Sequence, residues 1–415
     1  MPDEPYVGAP ASADPEHVEF DPFSDVYFND PLEVYRQLRD HRPVYFNDRY
    51  GFYALSRWDD MVEASRDWQT YSSTHGVDLA TLCSGKLPEF DSLIMMDPPK
   101  HDRLRALVSR VFTPRAISSL EPMIRDVIGG YLDDLGDRDE FDLVQDFSAP
   151  FPVEIISRML GVPPEGRQQV RHWLDIILTR EEGQLDYGPA AMEASVLMGT
   201  YFYELAVEKR THPADDMLSR LTQVKVEDDN GHLTRLDDVE IAGFGTLIGG
   251  AGAETVTKLV GNAAVLFDRH PDQWKLVLDD PSSIPGAVEE ILRYHPPSQY
   301  QGRFSTRDVH LHGTVLRAGW PVILLTGAAT RDERAFEDPD RFDITRPPAL
   351  SIGLGYGIHS CLGAALARME SRIAIEELAA RYPRFEVRTD GLQRVHMANV
   401  AGYSHVPVRI TTGAA

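Results

Sequence analysis

The chain has 415 residues and a formal net charge of −24, from 41 Lys and Arg against 65 Asp and Glu. Such an acidic balance argues against nucleic acid or an anionic membrane surface as a partner. Cys83 and Cys361 are the only cysteines, too few for a disulfide framework, and 42% hydrophobic residues is ordinary for a globular protein with a large core.

Residues 1–20 are polar, lack the basic–apolar–small pattern of a secretory leader and are expected to be disordered. A first helix is predicted over 31–39, with Asp30 as N-cap and Pro31 at the first helical position, where no N–H is needed. Short aromatic-rich runs at 44–46 and 51–55 read as paired strands, and 59–67 as a helix. Residues 72–94 lack a clear period and hold Gly76, Gly85 and Pro88, which predicts a long loop of the kind that often carries function. Helical patterns dominate 98–296. The longest apolar stretch there, 241–253, is well short of the ~20 residues that span a bilayer. Strand-like alternation follows over 303–325, then a coil, a glycine-rich loop at 353–363, a helix beyond it, and short β segments near 385–387 and 406–410. No linker or repeat divides the chain. The expectation is a mainly α fold with a minor β part, in one domain over 21–415, soluble and cytoplasmic.

Two segments carry chemistry. The first is the loop Gly353-Leu-Gly-Tyr-Gly-Ile-His-Ser-Cys361-Leu-Gly363, which delivers a cysteine to a helix whose apolar residues, Leu362, Leu366, Met369 and Ile373, recur at helical spacing. A sulfur at a helix N-terminus meets unpaired N–H groups and the positive end of the dipole, which favours thiolate. Gly355, Gly357 and Gly363 let the backbone pass close to something flat and bulky. A thiolate ligand to haem iron satisfies these features; a lone cysteine without them would read as a buried structural residue.

The second is a long helix over 236–269, about 50 Å at ~1.5 Å per residue. Its middle reads Gly249-Gly-Ala251-Gly252-Ala-Glu254-Thr255. Glycines cost ~1 kcal/mol each in a helix interior, so something must gain from the absent side chains. The expectation is a small-residue face, with Ala251 and Gly252 at its centre, that lets a planar macrocycle approach. Taken alone, the Glu254–Thr255 pair also reads as a surface acid beside a back-bonded threonine.

The cysteine loop closely resembles the haem-binding loop of the cytochrome P450 family, Phe-Gly-x-Gly-x-His-x-Cys-x-Gly, with Leu354 where the family has Phe. Further matches stand in the family's order, and the resemblance spans residue 30 to the C-terminus. It implies the cytochrome P450 fold and haem b (iron protoporphyrin IX) held by Cys361. Glu254 and Thr255 become the acid–alcohol pair that handles protons during oxygen activation. His101 and Arg105, Arg303 and His359 are implied to hold the porphyrin carboxylates. Glu290, Arg293 and Arg341 are implied to brace the core behind the haem.

The activity implied is monooxygenation: one atom of O2 enters a small apolar substrate such as a terpenoid, steroid, fatty acid or polyketide. Electrons come from an external NAD(P)H-dependent chain through a ferredoxin-type donor with its reductase. A basic docking patch is expected near Arg103, Arg110 and Arg115 on an otherwise acidic monomer. The substrate pocket is expected to draw on Val77, Leu79, Ile94, Ile177, Ile248 and Val400, with Gln299, Gln301 and Tyr403 orienting a polar end. A peroxide-driven peroxygenase would not need the Glu254–Thr255 relay. A gas sensor would need a signalling module, and none is evident. A haem-free binding protein would purify colourless. Gly-x-Gly-x-x-Gly is not met at 353–357, a zinc site lacks ligands, and Gly-x-Ser-x-Gly is absent.

Overall fold

The computed structural model describes residues 18–87, 92–109, 112–227 and 233–411. Helices account for 53% and strands for 12%, the mainly α architecture expected. Residues 1–17, which hold most of the segment expected to be disordered, lie outside the described residues, as does Arg110.

The organising element is the helix Asp238–Arg269. A capping box starts it: Asp237 accepts from the Glu240 N–H at 2.8 Å, and the Glu240 carboxylate accepts from the Asp237 N–H at 2.8 Å. From Ile241 to Phe267 most of its residues are buried, because it runs through the middle of the molecule against the helices Pro150–Leu160, Pro189–Thr211 and Ala364–Arg381. Its glycines serve that packing. A Cβ on Gly245 would stand 2.5 Å from the Phe202 ring, one on Gly249 3.1 Å from it, one on Gly250 3.0 Å from Leu174, and one on Gly252 2.9 Å from Ile156. The small-residue face expected to admit a macrocycle is therefore chiefly a helix–helix interface, held too close for side chains.

The β part is a five-stranded sheet in the order Val44–Asn47, Phe52–Leu55, Pro321–Leu324, Gln301–Ser305, Tyr71–Ser72, with only the second and third strands parallel. A smaller sheet joins Phe385–Val387, Pro407–Ile410 and Glu140–Asp142. The first predicted helix is observed as Leu32–His41, with Pro31 at the cap and the Asp30 carboxylate accepting from the Leu32 N–H at 3.2 Å. A short helix, Asp25–Asn29, precedes it and was not legible in the pattern. The predicted loop at 72–94 contains a helical turn, Leu79–Cys83, whose Asp78 cap accepts from the Thr81 N–H. Among the described residues no helix is long and apolar enough to cross a membrane.

Candidate functional site

The cysteine loop folds back on itself. The Cys361 N–H donates to the Leu354 carbonyl at 2.8 Å, Gly355 to Ile352 at 2.8 Å and Ser360 to Gly357 at 3.1 Å. Gly355 and Gly357 sit at φ +73° and +72°, where side chains are strained. A Cβ on Gly357 would strike the Ser65 carbonyl, so glycine also lets the loop dock on the helix Trp58–Arg66. Gly363, by contrast, faces open space. The helix Ala364–Arg381 begins immediately after.

Cys361 opens into two abutting cavities of about 880 and 1030 Å³. Both are lined by Cys361, Ala367 and His359 on the loop side and by Ala251, Thr255 and Val256 of the long helix, with Ile94 between, so they form one space. Burial pushes the Cys361 thiol up, while the Gly363 N–H and the guanidinium groups of Arg105 and Arg368 pull it down. A metal ion at the sulfur would remove the proton outright.

Four basic residues converge on this space from three elements: His101 and Arg105 on the helix Lys100–Ser109, Arg303 on the strand Gln301–Ser305, and His359 in the loop. Arg303 is 3% exposed, and its only bonded partner among the described residues is the neighbouring Gly302 carbonyl at 2.7 Å. Burial lowers its pKa to about 10. Arg105 donates to the Ser360 carbonyl at 2.5 Å. The rings of His101 and His359 meet edge to face, with centroids 4.6 Å apart, and the buried Nε2 of His101 has no partner. His359 is pushed down to about 3 by burial and by Arg303, His101 and Arg105, so it is neutral. The remaining Arg303 N–H groups are buried donors without an acceptor among the described residues, which is costly unless a ligand supplies one; His101, whose Nδ1 donates to the Asp102 carboxylate at 2.9 Å, offers a second donor at Nε2 only when its ring carries both protons. A group bearing carboxylates, placed between Cys361 and the long helix, would satisfy them; the donor set fits haem.

Glu254 and Thr255 divide as neighbours 100° apart on a helix must. Thr255 lines the cavity, its hydroxyl donating back to the Ala251 carbonyl at 3.0 Å. Glu254 turns into the protein, 4% exposed, and pairs with Lys258 Nζ at 2.5 Å. Burial raises its pKa and Lys258 opposes this, with Asp175 and Arg171 also within electrostatic reach.

Among the pocket residues expected, Val77, Ile94, Ile248 and Gln301 do line the cavity, as does Gly252 at its edge. Five do not, because a residue's side of an element is not set by its composition. Leu79 is fully buried in a separate aromatic cluster. Ile177 packs on the main core. Val400 packs with Val395 and Met397. Gln299 accepts from the Tyr35 hydroxyl at 2.9 Å and donates to the Pro296 carbonyl at 2.6 Å, away from Cys361. Tyr403 stacks under Arg394 in another cavity.

Arg341 is also misplaced. Its guanidinium is 66% exposed and, among the described residues, pairs only with Asp343, at 3.6 Å. The cation that joins the Glu290–Arg293 pair is Arg346, whose Nε donates to Glu290 at 3.2 Å; Arg341 contributes only its carbonyl, to Arg293 at 3.2 Å.

Sequence reading missed Lys258 and Glu370, since a single charged residue in a helical pattern reads as surface. Glu370 lines the cavity, is 1% exposed, and its Oε2 has no partner; burial alone holds its carboxyl well above the usual range. Below the unfolded value of about 4.3 both states are protonated. As pH rises past it, the unfolded chain ionises and the folded one resists, so stability falls. Glu370→Gln should remove that loss. In thermal unfolding of the haem-loaded protein, the variant should gain on wild type with rising pH, by about 1–3 kcal/mol, the scale of one unsatisfied buried group. Parallel pH curves would contradict a neutral Glu370.

A family model for "Cytochrome P450" matches residues 284–400. Cytochrome P450 130 of Mycobacterium tuberculosis is 38% identical over 392 residues, covering 92% of this chain and 95% of that protein. Erythromycin C-12 hydroxylase of Saccharopolyspora erythraea is 38% identical over 377 residues, covering 89% and 92%. Among solved structures, CYP109E1 from Bacillus megaterium in complex with testosterone matches with a TM-score of 0.83 at 33% identity, covering 93% of this chain and 98% of that one. Near-complete coverage at these identities, together with the Cys361 loop and its basic cage, establishes that the chain belongs to the cytochrome P450 family, which implies haem as its cofactor.

Proposed function

We propose that this protein is a haem-thiolate monooxygenase. It places one atom of O2 into a small apolar substrate, using electrons from NAD(P)H delivered by a ferredoxin-type donor. The observation that carries the reading is that Cys361 and Thr255 line one largely apolar cavity, with the Glu254–Lys258 pair buried directly behind. Bound through Cys361, the haem iron would supply oxygen activation, for which thiolate ligation is suited. Arg105, Arg303, His101 and His359 would fix the macrocycle by its carboxylates. Thr255 Oγ1 stands where it can hold a proton at the cavity wall, and Glu254 with Lys258 can pass one to it by way of water. Leu93, Phe112, Phe244 and Leu247 extend the wall with apolar surface and exclude water. A bulky apolar substrate fits best; a steroid and a macrolide are the ligand and substrate that the names of two similar proteins carry. Arg103 stands on the helix whose Arg105 touches the cysteine loop, and Arg115 is exposed just beyond, which supports donor docking there.

The test is reconstitution with a ferredoxin, its reductase and NADPH over a steroid and macrolide panel, for wild type and Thr255→Ala. Wild type should couple NADPH use to hydroxylated product. Thr255→Ala should keep its substrate-induced spin shift while product per NADPH falls about tenfold (~1.4 kcal/mol) and hydrogen peroxide is released instead. Efficient turnover with peroxide alone, indifferent to Thr255, would favour a peroxygenase and overturn the reading.

A further inference from the structure

A third recess, open to solvent, lies between the N-terminal helices, the last turns of the long helix and the strand Tyr403–His405, and shares no lining residue with the haem space. Three guanidinium groups stand on its polar wall, those of Arg269, Arg331 and Arg394. Arg394 reaches inward, with Nη1 2.9 Å from His295 Nε2 and its guanidinium 4.7 Å above the Tyr403 ring. Arg269 stands exposed at the rim. Among the described residues neither forms an ion pair. The third guanidinium, Arg331, is already engaged by the Tyr294 carbonyl and by Asp340, each at 2.8 Å. Asp30 is the one carboxylate on the wall.

The centre of the wall fixes its own polarity. His295 is half-buried, and its desolvation with Arg394, Arg331 and Arg269 nearby holds its pKa well below the ordinary value, so the ring is neutral and carries one proton. Nε2 faces Arg394, a group that can only donate, so Nε2 accepts and Nδ1 bears the hydrogen. As placed, the Asn262 Nδ2 stands 3.0 Å from Nδ1 and donates to the His295 carbonyl at 3.3 Å, while Asn262 Oδ1 has no partner among the described residues. The proton on Nδ1 requires the amide oxygen there, and the two ends of an amide are assigned by this kind of bonding logic. Turning the amide gives up the longer bond and leaves its NH2 at the end that has no partner. Asn262 is 1% exposed and lines the recess. A buried amide donor and an uncompensated guanidinium thus lie in one recess flanked by Phe28, Tyr294, Val265 and Leu266.

We infer that this recess is a second binding site, separate from the haem cavity, for a small aryl carboxylate. The carboxylate is held by Arg394 and the Asn262 amide with Arg269 at the rim, and the ring lies among the aromatic side chains. A neutral ligand would leave the guanidinium uncompensated, and a cation would be repelled.

The test uses the ferric holoprotein saturated with 4-phenylimidazole, which ligates the iron and fills the haem cavity. Titration calorimetry with 3-phenylpropionate should give one site, and 3-phenylpropionamide should bind at least about tenfold more weakly. Arg394→Gln should weaken the carboxylate at least about tenfold, and Arg269→Gln by roughly threefold, with the Soret titration by 4-phenylimidazole unchanged in both. Arg269 is at the surface, so its variant decides the matter if Arg394→Gln fails to fold. Equal binding of acid and amide, affinity unchanged in the folded Arg variants, no heat in wild type, or binding abolished by 4-phenylimidazole would each overturn the site.

Discussion

Cys361→Ser should give a protein that folds but no longer shows a thiolate-type, red-shifted Soret band in its reduced carbon monoxide complex, with hydroxylation down at least about a thousandfold, equivalent to ~4 kcal/mol in the barrier. The loop should survive, because it is held by backbone bonds that serine keeps: the 361 N–H to Leu354, Gly355 to Ile352, and Ser360 to Gly357. What is lost is the soft, anionic ligand. The remaining thiol cannot substitute. Cys83 ends the short helix Leu79–Cys83, packs against a separate aromatic cluster, and is pushed by burial up to about 12, so it stays protonated. Cys83→Ser should therefore leave the spectrum as in wild type. A thiolate-type band persisting in Cys361→Ser would require a different ligand and would remove the basis of the proposed function.

What could be read before the structure was whatever chemistry lies within a few residues of chain. The Cys361 loop is a local object: glycines at positive φ, a histidine, a sulfur and a helix start, all between Gly355 and Ala364. The basic cage was legible residue by residue through resemblance, and the structure brings its members together from three elements. Orientation about a helix axis was less legible. The glycines of the long helix were assigned to a cofactor when most of them face Phe202, Leu174 and Ile156, because a small side chain signals close approach without saying of what. Leu79, Ile177, Gln299 and Val400 stand in the expected segments but point elsewhere, since a segment's place does not fix its rotation. Lys258 and Glu370 were invisible because a buried charge has no sequence signature apart from its partner, or the lack of one. Arg341 was assigned where Arg346 serves, in a coil without periodicity, where five residues of irregular chain decide which side chain turns inward.

That last distinction carries the second large effect. Glu290→Ala should destabilise the protein by about 3–5 kcal/mol, the cost of leaving buried cations without their counter-ion. Arg346→Ala should cost less, about 1–2 kcal/mol, and Arg341→Ala no more than about 0.5 kcal/mol, as for an exposed side chain. The geometry sets the ranking. Glu290 binds Arg293 in a two-pronged pair at 2.7 and 2.8 Å and also accepts from the Asp343 N–H at 2.9 Å and from Arg346 at 3.2 Å. Arg293 goes on to the Thr330 and Pro339 carbonyls. One carboxylate thus ties the helix Ile284–Tyr294 to the coil that leads toward the cysteine loop. The same helix meets that loop again at its start, where a Cβ on Gly353 would come within 2.5 Å of the Leu292 carbonyl. The coil between Arg346 and Gly353 is anchored to one helix at both ends, so releasing the first anchor should loosen the register in which Cys361 is presented. Glu290→Ala should therefore show two linked changes: a lower unfolding midpoint, and a growing fraction of reduced carbon monoxide complex without the thiolate-type band. Arg341→Ala should show neither. If Arg341→Ala proved as damaging as Arg346→Ala, the exposed placement of the Arg341 guanidinium would be wrong, and with it the assignment of Arg346 as the brace.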